Sequence, residues 1–409
     1  MPEDPNNDTW SSPATPLPVG IAEAFTSDEI AWLSTLRRDL HRNPELSWHE
    51  EGTAKRLEHA LTTLGASNVA RVAGTGVVAR MSGRHTGAPL VAIRGDIDAL
   101  PIQETTGLPF SSEVPSVMHA CGHDIHATWA VGAALLLRKT PAEGDVLILL
   151  QPAEEAAEGA AAMLRSGALE GVQAIFGAHV DRRYGVGQVV AQEGPVAASA
   201  DFFRIELIGA GAHGARPHES ADPVVGAATL ITALQTLVSR RLDPGLPGVV
   251  TVATIHAGTA DNIIPDRARL TGTVRAMDAA SRALLIEELR HVSDRVAEAH
   301  HLTARVTFDQ GTPPIVNQPE PTAWAREAVR TVLGPQGDVP LAGTNMGGED
   351  FAFYLERIPG CFMRVGAREP GGAWLPAHSS GFYAAEESAL VGAAVLAETA
   401  RRASAALAT

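Results

Sequence analysis

Three stretches share one pattern: Val91-Ala92-Ile93-Arg94-Gly95-Asp96-Ile97-Asp98, Val146-Leu147-Ile148-Leu149-Leu150-Gln151-Pro152-Ala153-Glu154-Glu155, and Ala174-Ile175-Phe176-Gly177-Ala178-His179. Each begins as a short apolar run and ends in groups that bind metals or move protons. Runs of this length read as strands buried on both faces. Residues 127–138 carry a helical pattern between the first two, and residues 160–166 carry one between the next two. Strands alternating with helices predict an α/β fold with a largely parallel sheet. Ligands of such sheets gather at the carboxyl ends of the strands, which is where Asp96, Glu154, Glu155 and His179 fall.

Upstream, residues 1–20 are rich in Pro, Asn, Asp and Ser without periodicity, a composition expected of a mobile tail. Thr26 and Glu29 have capping-box spacing ahead of Ile30, Leu33, Leu36 and Leu40, so a helix is expected from there to Asn43-Pro44, with another over 50–64. Downstream, the rhythm changes near residue 198. Strand 202–208, helix 222–241, strands 249–256 and 268–276, helix 279–299 and strand 302–308 follow in turn, the β-α-β-β-α-β order of a ferredoxin-like unit. The first style resumes with a helix at 321–333, a strand at 362–365 and a helix at 384–403. The expected organisation is therefore a tail (1–20), a catalytic domain in two parts (21–197 and 311–409) and an inserted α+β domain (198–310).

Met118-His119-Ala120-Cys121-Gly122-His123-Asp124-Ile125-His126 packs three imidazoles, a thiol and a carboxylate into nine residues ahead of a helix. Cys121 and His123 can point the same way on an extended segment, whereas on a helix they would diverge by about 200°. A helix N-terminus would also favour the thiolate, the form that binds metal. The plainer reading is a small buried cysteine beside surface histidines. Adjacent carboxylates at a strand end project in opposite directions, so of Glu154 and Glu155 one can hold a metal while the other acts as general base; an acidic pair can equally be solvated surface. His179 and His378 add two imidazoles, each of which taken alone could be structural. In the inserted domain, Gly209-Ala210-Gly211-Ala212-His213-Gly214-Ala215-Arg216-Pro217-His218 is a glycine-rich corner suited to a tight turn or close approach of a ligand. Asn262 and Arg275 could hold an anionic group, for which the guanidinium fork suits a carboxylate, although Arg275 could equally serve as a surface pairing residue.

Composition narrows the classes further. With 409 residues, 45% hydrophobic and 19% charged, the chain can bury a sizeable core. A net charge of −15 argues against a general nucleic-acid binder or a binder of anionic membranes, which depend on basic surface. The N-terminus has neither the basic nor the apolar region of a secretory signal, and no apolar stretch reaches the roughly 18–20 residues of a membrane span. Two distant cysteines, Cys121 and Cys361, suggest no disulfide framework. A reducing, cytoplasmic setting is expected.

The ordered motifs Leu40-His41-Arg42-Asn43-Pro44-Glu45-Leu46, Gly95-Asp96-Ile97-Asp98-Ala99-Leu100-Pro101, His119-Ala120-Cys121-Gly122-His123-Asp124, Gln151-Pro152-Ala153-Glu154-Glu155, Gly177-Ala178-His179, the His213 corner, Gly348-Glu349-Asp350-Phe351 and His378-Ser379 resemble the M20 metallopeptidase family. The likeness covers about residues 30–400. It is to the amidohydrolase branch of hippurate hydrolases, N-acyl-amino-acid amidohydrolases (aminoacylases) and auxin-conjugate hydrolases. The resemblance implies a zinc-exopeptidase-like α/β catalytic domain with an inserted lid that also serves dimerisation, giving a homodimer or homotetramer. It implies two divalent ions, zinc or manganese with cobalt or nickel as options, held by Cys121, His123, Glu155, His179 and His378. Glu154 would be the general base and acid, and His213 would steady the oxyanion, acting from its own lid or across a dimer. Asn262 and Arg275 would hold the substrate carboxylate, with Asp96 and Asp98 beside the ions. The implied reaction is hydrolysis of N-acyl amino acids. A dipeptidase or carboxypeptidase is the near alternative, and a metal-stabilised binding protein without turnover the remote one, since a metal scaffold has no use for Glu154. Two stretches depart from the branch: residues 154–159 are poorer in glycine, and Asp181-Arg182-Arg183-Tyr184 stands where many relatives have a Pro-containing stretch.

Overall fold

A computed structural model describes residues 17–409 apart from residue 344. The chain divides into two compact units, one comprising the residues up to Gly194 with Asn317–Ala342 and Phe353–Thr409, the other Pro195–Val316 with Gly343–Ala352. Of the expected tail, residues 1–16 lie outside the described residues. The remainder is helical from Val19 to Ala24, with Ile21 and Phe25 buried, so ordered structure begins before Thr26. The capping box does form there: the Thr26 hydroxyl accepts from the Glu29 N–H and the Glu29 carboxylate from the Thr26 N–H, opening the helix Ser27–Arg42.

The first unit is built on seven strands in the order Ser67–Val72, Gly76–Met81, Val146–Gln151, Leu90–Asp96, Val172–Gly185, Gly360–Arg368 and Val189–Val190. Only the central four run parallel. Both margins are antiparallel, so the sheet is mixed around its parallel centre. The reason is connection length. Ser67–Val72 returns into Gly76–Met81 through a three-residue turn in which Ala73 and Gly74 have φ of 49° and 80°, and so short a link permits only an antiparallel pair.

The helix His123–Lys139 is buried continuously from His123 through Leu137, as expected of a core helix that is apolar on all sides. It packs against Glu387–Leu407. Gly392 makes this possible, because a Cβ there would stand 2.3 Å from the ring of the fully buried Trp129.

In the second unit four antiparallel strands lie in the order Gly248–Ala257, Arg267–Ala276, Ala200–Ile208 and Thr303–Thr312. Helices Pro223–Thr236 and Ala279–Ala299 bury Leu230, Leu234, Leu285 and Leu289 in one core with Phe203, Ile205, Leu207 and Leu270. Chain order and spatial order together are those of the ferredoxin-like split β-α-β. Among the described residues no helix is long and apolar enough to cross a membrane.

Candidate metal centre

Four loops of the first unit converge on one point. Gly122, at φ 90°, makes the turn into the helix that starts at His123, and a Cβ in its place would stand 2.5 Å from Val180 Cγ2. Glu154 and Glu155 follow the buried strand Val146–Gln151 after Ala153, whose φ is 52°. The buried Glu50 carboxylate accepts the Ala153 N–H at 2.9 Å, and Asp98 Oδ2 accepts the Glu155 N–H at 3.0 Å. His179 lies inside Val172–Gly185, which runs well past the strand end expected there. The pairing of that strand with Leu90–Asp96 nevertheless stops at Gly177, so His179 sits at the carboxyl edge of its neighbour. His378 is on the loop after Gly360–Arg368, and its N–H donates to the Ala120 carbonyl at 2.8 Å.

These loops bring together all five expected ligands and Glu154. Cys121, His123 and His179 form one group, Cys121, Glu155 and His378 a second, and His123, Glu154 and Glu155 a third, with ligand atoms in each group within 4.8 Å of one another. Cys121 Sγ is 3.2 Å from His179 Nε2, and His378 Nε2 is 3.3 Å from Glu155 Oε1. His123 Nε2 is 3.9 Å from both Glu154 Oε2 and Glu155 Oε1.

The donor atoms suit a cation. His123 Nδ1 is committed to the Asp98 carbonyl at 2.9 Å and to Asp98 Oδ1 at 3.2 Å, which leaves Nε2 buried without a hydrogen-bond partner. His179 Nδ1 donates to the Val180 carbonyl at 2.7 Å. An imidazole fixed in this way through one nitrogen presents the lone pair of the other, the usual outer support of a metal-binding histidine. Thiolate, imidazole and carboxylate together fit a divalent transition metal.

Electrostatics agree in part with the sequence reading. Burial pushes the Cys121 thiol up and the Glu155 charge adds to this, so the helix N-terminus does not by itself supply a thiolate; a cation must. Burial opposes protonation of His123, yet the Asp96 charge and the Asp98 hydrogen bond hold it well above the usual imidazole range. Burial, reinforced by the neighbouring His126, drives His179 well below that range. Hydrogen bonds to Cys121 and Glu155 raise His378 to about 10.

Of the three imidazoles in residues 119–126 only His123 joins the cluster of expected ligands. His126 spends both ring nitrogens: Nδ1 lies 2.6 Å from Asp96 Oδ1, and Nε2 accepts the Val180 N–H at 3.0 Å. His119 is buried with neither ring nitrogen hydrogen-bonded, and burial holds it down to about 4. Asp96 also takes the guanidinium of the fully buried Arg94, whose Nε donates to Gln151 Oε1 at 2.8 Å.

Sequence reading passed over two supports. One is Glu50. The other is the pairing of Asp124 with Arg37 Nε at 2.9 Å and His41 Nδ1 at 2.8 Å, continued by His41 Nε2 to Glu104 at 3.2 Å. The available signal was the recurrence of acids and imidazoles inside otherwise buried segments, Asp124 among them.

Within the second unit, His213 pairs with Ile263, and the Gly214 N–H donates to the Asn262 carbonyl at 2.8 Å, so His213 and Asn262 are neighbours. His213 lines a cavity of about 700 Å³ with Gly211, Gly258, Thr259 and Arg267. Arg275 is elsewhere. It stands at the far end of Arg267–Ala276 and donates from Nη1 to the Met346 carbonyl at 2.9 Å. Eight residues separate it from Arg267, roughly 26 Å at ~3.3 Å per strand residue. Within one chain's second unit, then, an extended strand holds Arg275 apart from His213 and Asn262.

Comparison with known proteins gives the family. Residues 92–402 match the model of peptidase family M20/M25/M40. The chain is 40% identical over 333 residues to N-acetyl-L-cysteine deacetylase of Bacillus subtilis strain 168, covering 81% of this chain and 79% of that protein. It is 37% identical over 369 residues to thermostable carboxypeptidase 2 of Saccharolobus solfataricus, covering 88% and 93%. Among solved structures it superposes with a TM-score of 0.80 and 36% identity on a dinuclear metal-binding M20 peptidase of Bacillus subtilis, covering 91% of this chain and 97% of that one. With a family match over well over half its length, the chain belongs to peptidase family M20/M25/M40 and is a metal-dependent hydrolase of amide bonds.

Proposed function

We propose that the protein hydrolyses the amide bond of N-acyl amino acids, releasing a carboxylic acid and a free amino acid. The observation that carries this reading is the convergence of Cys121, His123, Glu155, His179 and His378 with Glu154 beside them. Those five residues would hold two divalent ions. When bound, the ions supply Lewis-acid chemistry, acidifying a water and polarising the scissile carbonyl. Glu154 takes the proton from that water and delivers it to the leaving amine nitrogen. Asp98 orients His123 and the Glu155 backbone together, while Asp96 keeps His126 against the strand that carries His179. Thiolate with imidazole favours zinc, and the carboxylates admit manganese, cobalt or nickel. Two buried free cysteines fit a reducing cytoplasm.

His213 would donate to the developing oxyanion, with Asn262 beside it, and Arg275 would pair with the substrate carboxylate. Because one chain holds Arg275 far from the other two, we assign His213 and Asn262 to the substrate of a partner copy in a homodimer built through the second unit, or in a tetramer of such dimers. The strand Gly248–Ala257 leaves one edge unpaired and exposes Ile255, as a sheet-edge interface requires. If the site is shared in this way, mixing Glu154→Ala and His213→Ala proteins under subunit exchange restores about a quarter of the sites, since only the mixed C2 dimer contains one complete set. An inactive mixture that has demonstrably exchanged subunits removes the shared site.

The reaction is tested by free amino acid release from N-acetyl, N-benzoyl and longer N-acyl amino acids and from dipeptides, using metal-depleted protein and protein reconstituted with zinc or manganese. Metal-dependent release from the acyl amino acids is expected. Turnover confined to dipeptides would favour the second reading, a dipeptidase or carboxypeptidase, which the identity to a carboxypeptidase keeps in view. Silence on every substrate with every metal would leave a metal-stabilised binding protein.

A further inference from the structure

His378 lies on a turn, outside helix and strand, and is the most exposed of the proposed ligands. The residues that lead into it, 370–377, are mostly exposed, Trp374 at 60%, and they form neither helix nor strand. Apolar burial therefore cannot hold this segment in place. His378 itself has φ 62°, a left-handed conformation that a non-glycine residue keeps only when its surroundings impose it. Yet metal–ligand distances in a formed site are fixed to within about 0.2 Å, so a loop that is already tethered binds at lower ordering cost.

One side chain ties this loop from beneath. Arg182, three residues after His179, has a side chain only 1% exposed. Its Nη1 donates to the Ala367 carbonyl at 3.2 Å, the Tyr383 carbonyl at 3.1 Å and Glu369 Oε2 at 2.8 Å. Its Nη2 donates to the Ala373 carbonyl at 2.7 Å and Glu369 Oε1 at 3.3 Å. The guanidinium carbon lies 4.6 Å from the centre of the Tyr383 ring, and the Tyr383 hydroxyl donates to Glu369. A single planar fork thus ties both ends of the loop, 367–369 and 383, and its middle at 373. Further tethers come from the His378 N–H on Ala120 and from Thr105 on Ser380.

We infer that Arg182 is the positioning residue for His378, and through it for the ion shared by Cys121, Glu155 and His378. This rests on the reading of His378 as a ligand. It also gives a role to Arg182 within the Asp181-Arg182-Arg183-Tyr184 stretch. Lysine cannot replace the fork, because an ammonium is a point donor that cannot reach three carbonyls and a carboxylate in one plane.

The test is metal content and affinity, measured by elemental analysis after dialysis and by zinc competition with a chromophoric chelator, with circular dichroism as the check on folding. His378→Ala sets the benchmark: it should lose one of two ions per chain. Arg182→Met should weaken the same ion by about 10- to 100-fold, the usual range for outer support of a ligand, with Arg182→Lys in between. Arg183→Ala, which disturbs the pairing with Asp181, a bond to the Ala342 carbonyl and a contact with the Tyr184 ring but nothing in the His378 loop, should keep both ions. If Arg182→Met does not fold, Tyr383→Phe decides, since it removes only the hydroxyl bracing Glu369 and should still weaken that ion measurably. If His378→Ala loses an ion while a folded Arg182→Met, or failing that Tyr383→Phe, keeps both at wild-type affinity, the role of Arg182 is overturned and the ligand reading stands. If His378→Ala keeps both ions, the ligand reading itself fails.

Discussion

Glu154→Ala is expected to lower kcat by roughly 10³- to 10⁴-fold while leaving two ions bound and KM little changed, the upper range for loss of a group that serves as both base and acid. The geometry separates this residue from its neighbour. Both carboxylates stand 3.9 Å from His123 Nε2 and are 11% exposed; what sets Glu155 apart is that Asp98 holds it from behind and it faces His378 at 3.3 Å. Losing Glu155 should cost metal, and losing Glu154 should cost turnover. Glu154→Asp, shorter by one methylene, should recover part of the rate, because proton transfer depends on reach as well as on pKa. Steady-state kinetics with elemental analysis on the same preparation decide the matter. A Glu154→Ala protein that turns over like the wild type removes this residue from the chemistry, and one that arrives without metal reassigns it as a ligand.

Arg94→Met is expected to lower the stability of the metal-free protein by about 3–5 kcal/mol, the usual cost of stripping one partner from a buried ion pair. Arg94 is wholly inside the sheet of the first unit, and its partner Asp96 is equally buried. Removing the guanidinium leaves the buried Asp96 carboxylate with only the two imidazoles His126 and His123 near it and takes from Gln151 Oε1 one of its donors, the Tyr354 hydroxyl being another. Arg94→Met with Asp96→Asn should recover much of the loss, since the uncompensated charge is then gone. Urea unfolding in the presence of a chelator reads stability apart from metal binding. A single variant as stable as the wild type would show that Asp96 is neutral or solvated in the folded chain, which would contradict the Arg94 and His126 contacts.

Residues 91–98, 146–155 and 174–179 made the α/β character legible because strands buried on both faces need uninterrupted apolar runs. The order of strands and helices made the second unit legible as well. The pair Ser67–Val72 and Gly76–Met81 was not, since Ser67, Asn68, Ala70 and Arg71 sit on a margin exposed enough to relax the apolar pattern. The short helix Val19–Ala24 begins in the last two residues of a stretch whose Pro and Asn content points to disorder, and it is ordered because Ile21 joins the core of the first unit.

The chemistry divides along the same line. From the sequence alone came the donor types, Cys121, His123, Glu154, Glu155, His179 and His378, because metal binding and proton transfer demand particular side chains and those stand out at strand ends and before a helix. Only the tertiary structure decided which imidazoles have a nitrogen to spare. His126 and His123 are three residues apart on one helix, yet Asp96 and the Val180 N–H consume the first while Asp98 frees Nε2 of the second. It also separated Arg275 from His213 and turned Arg182 inward beneath the His378 loop. A hydrogen bond is satisfied by a partner distant in the chain, and no local pattern records which partner the fold will bring.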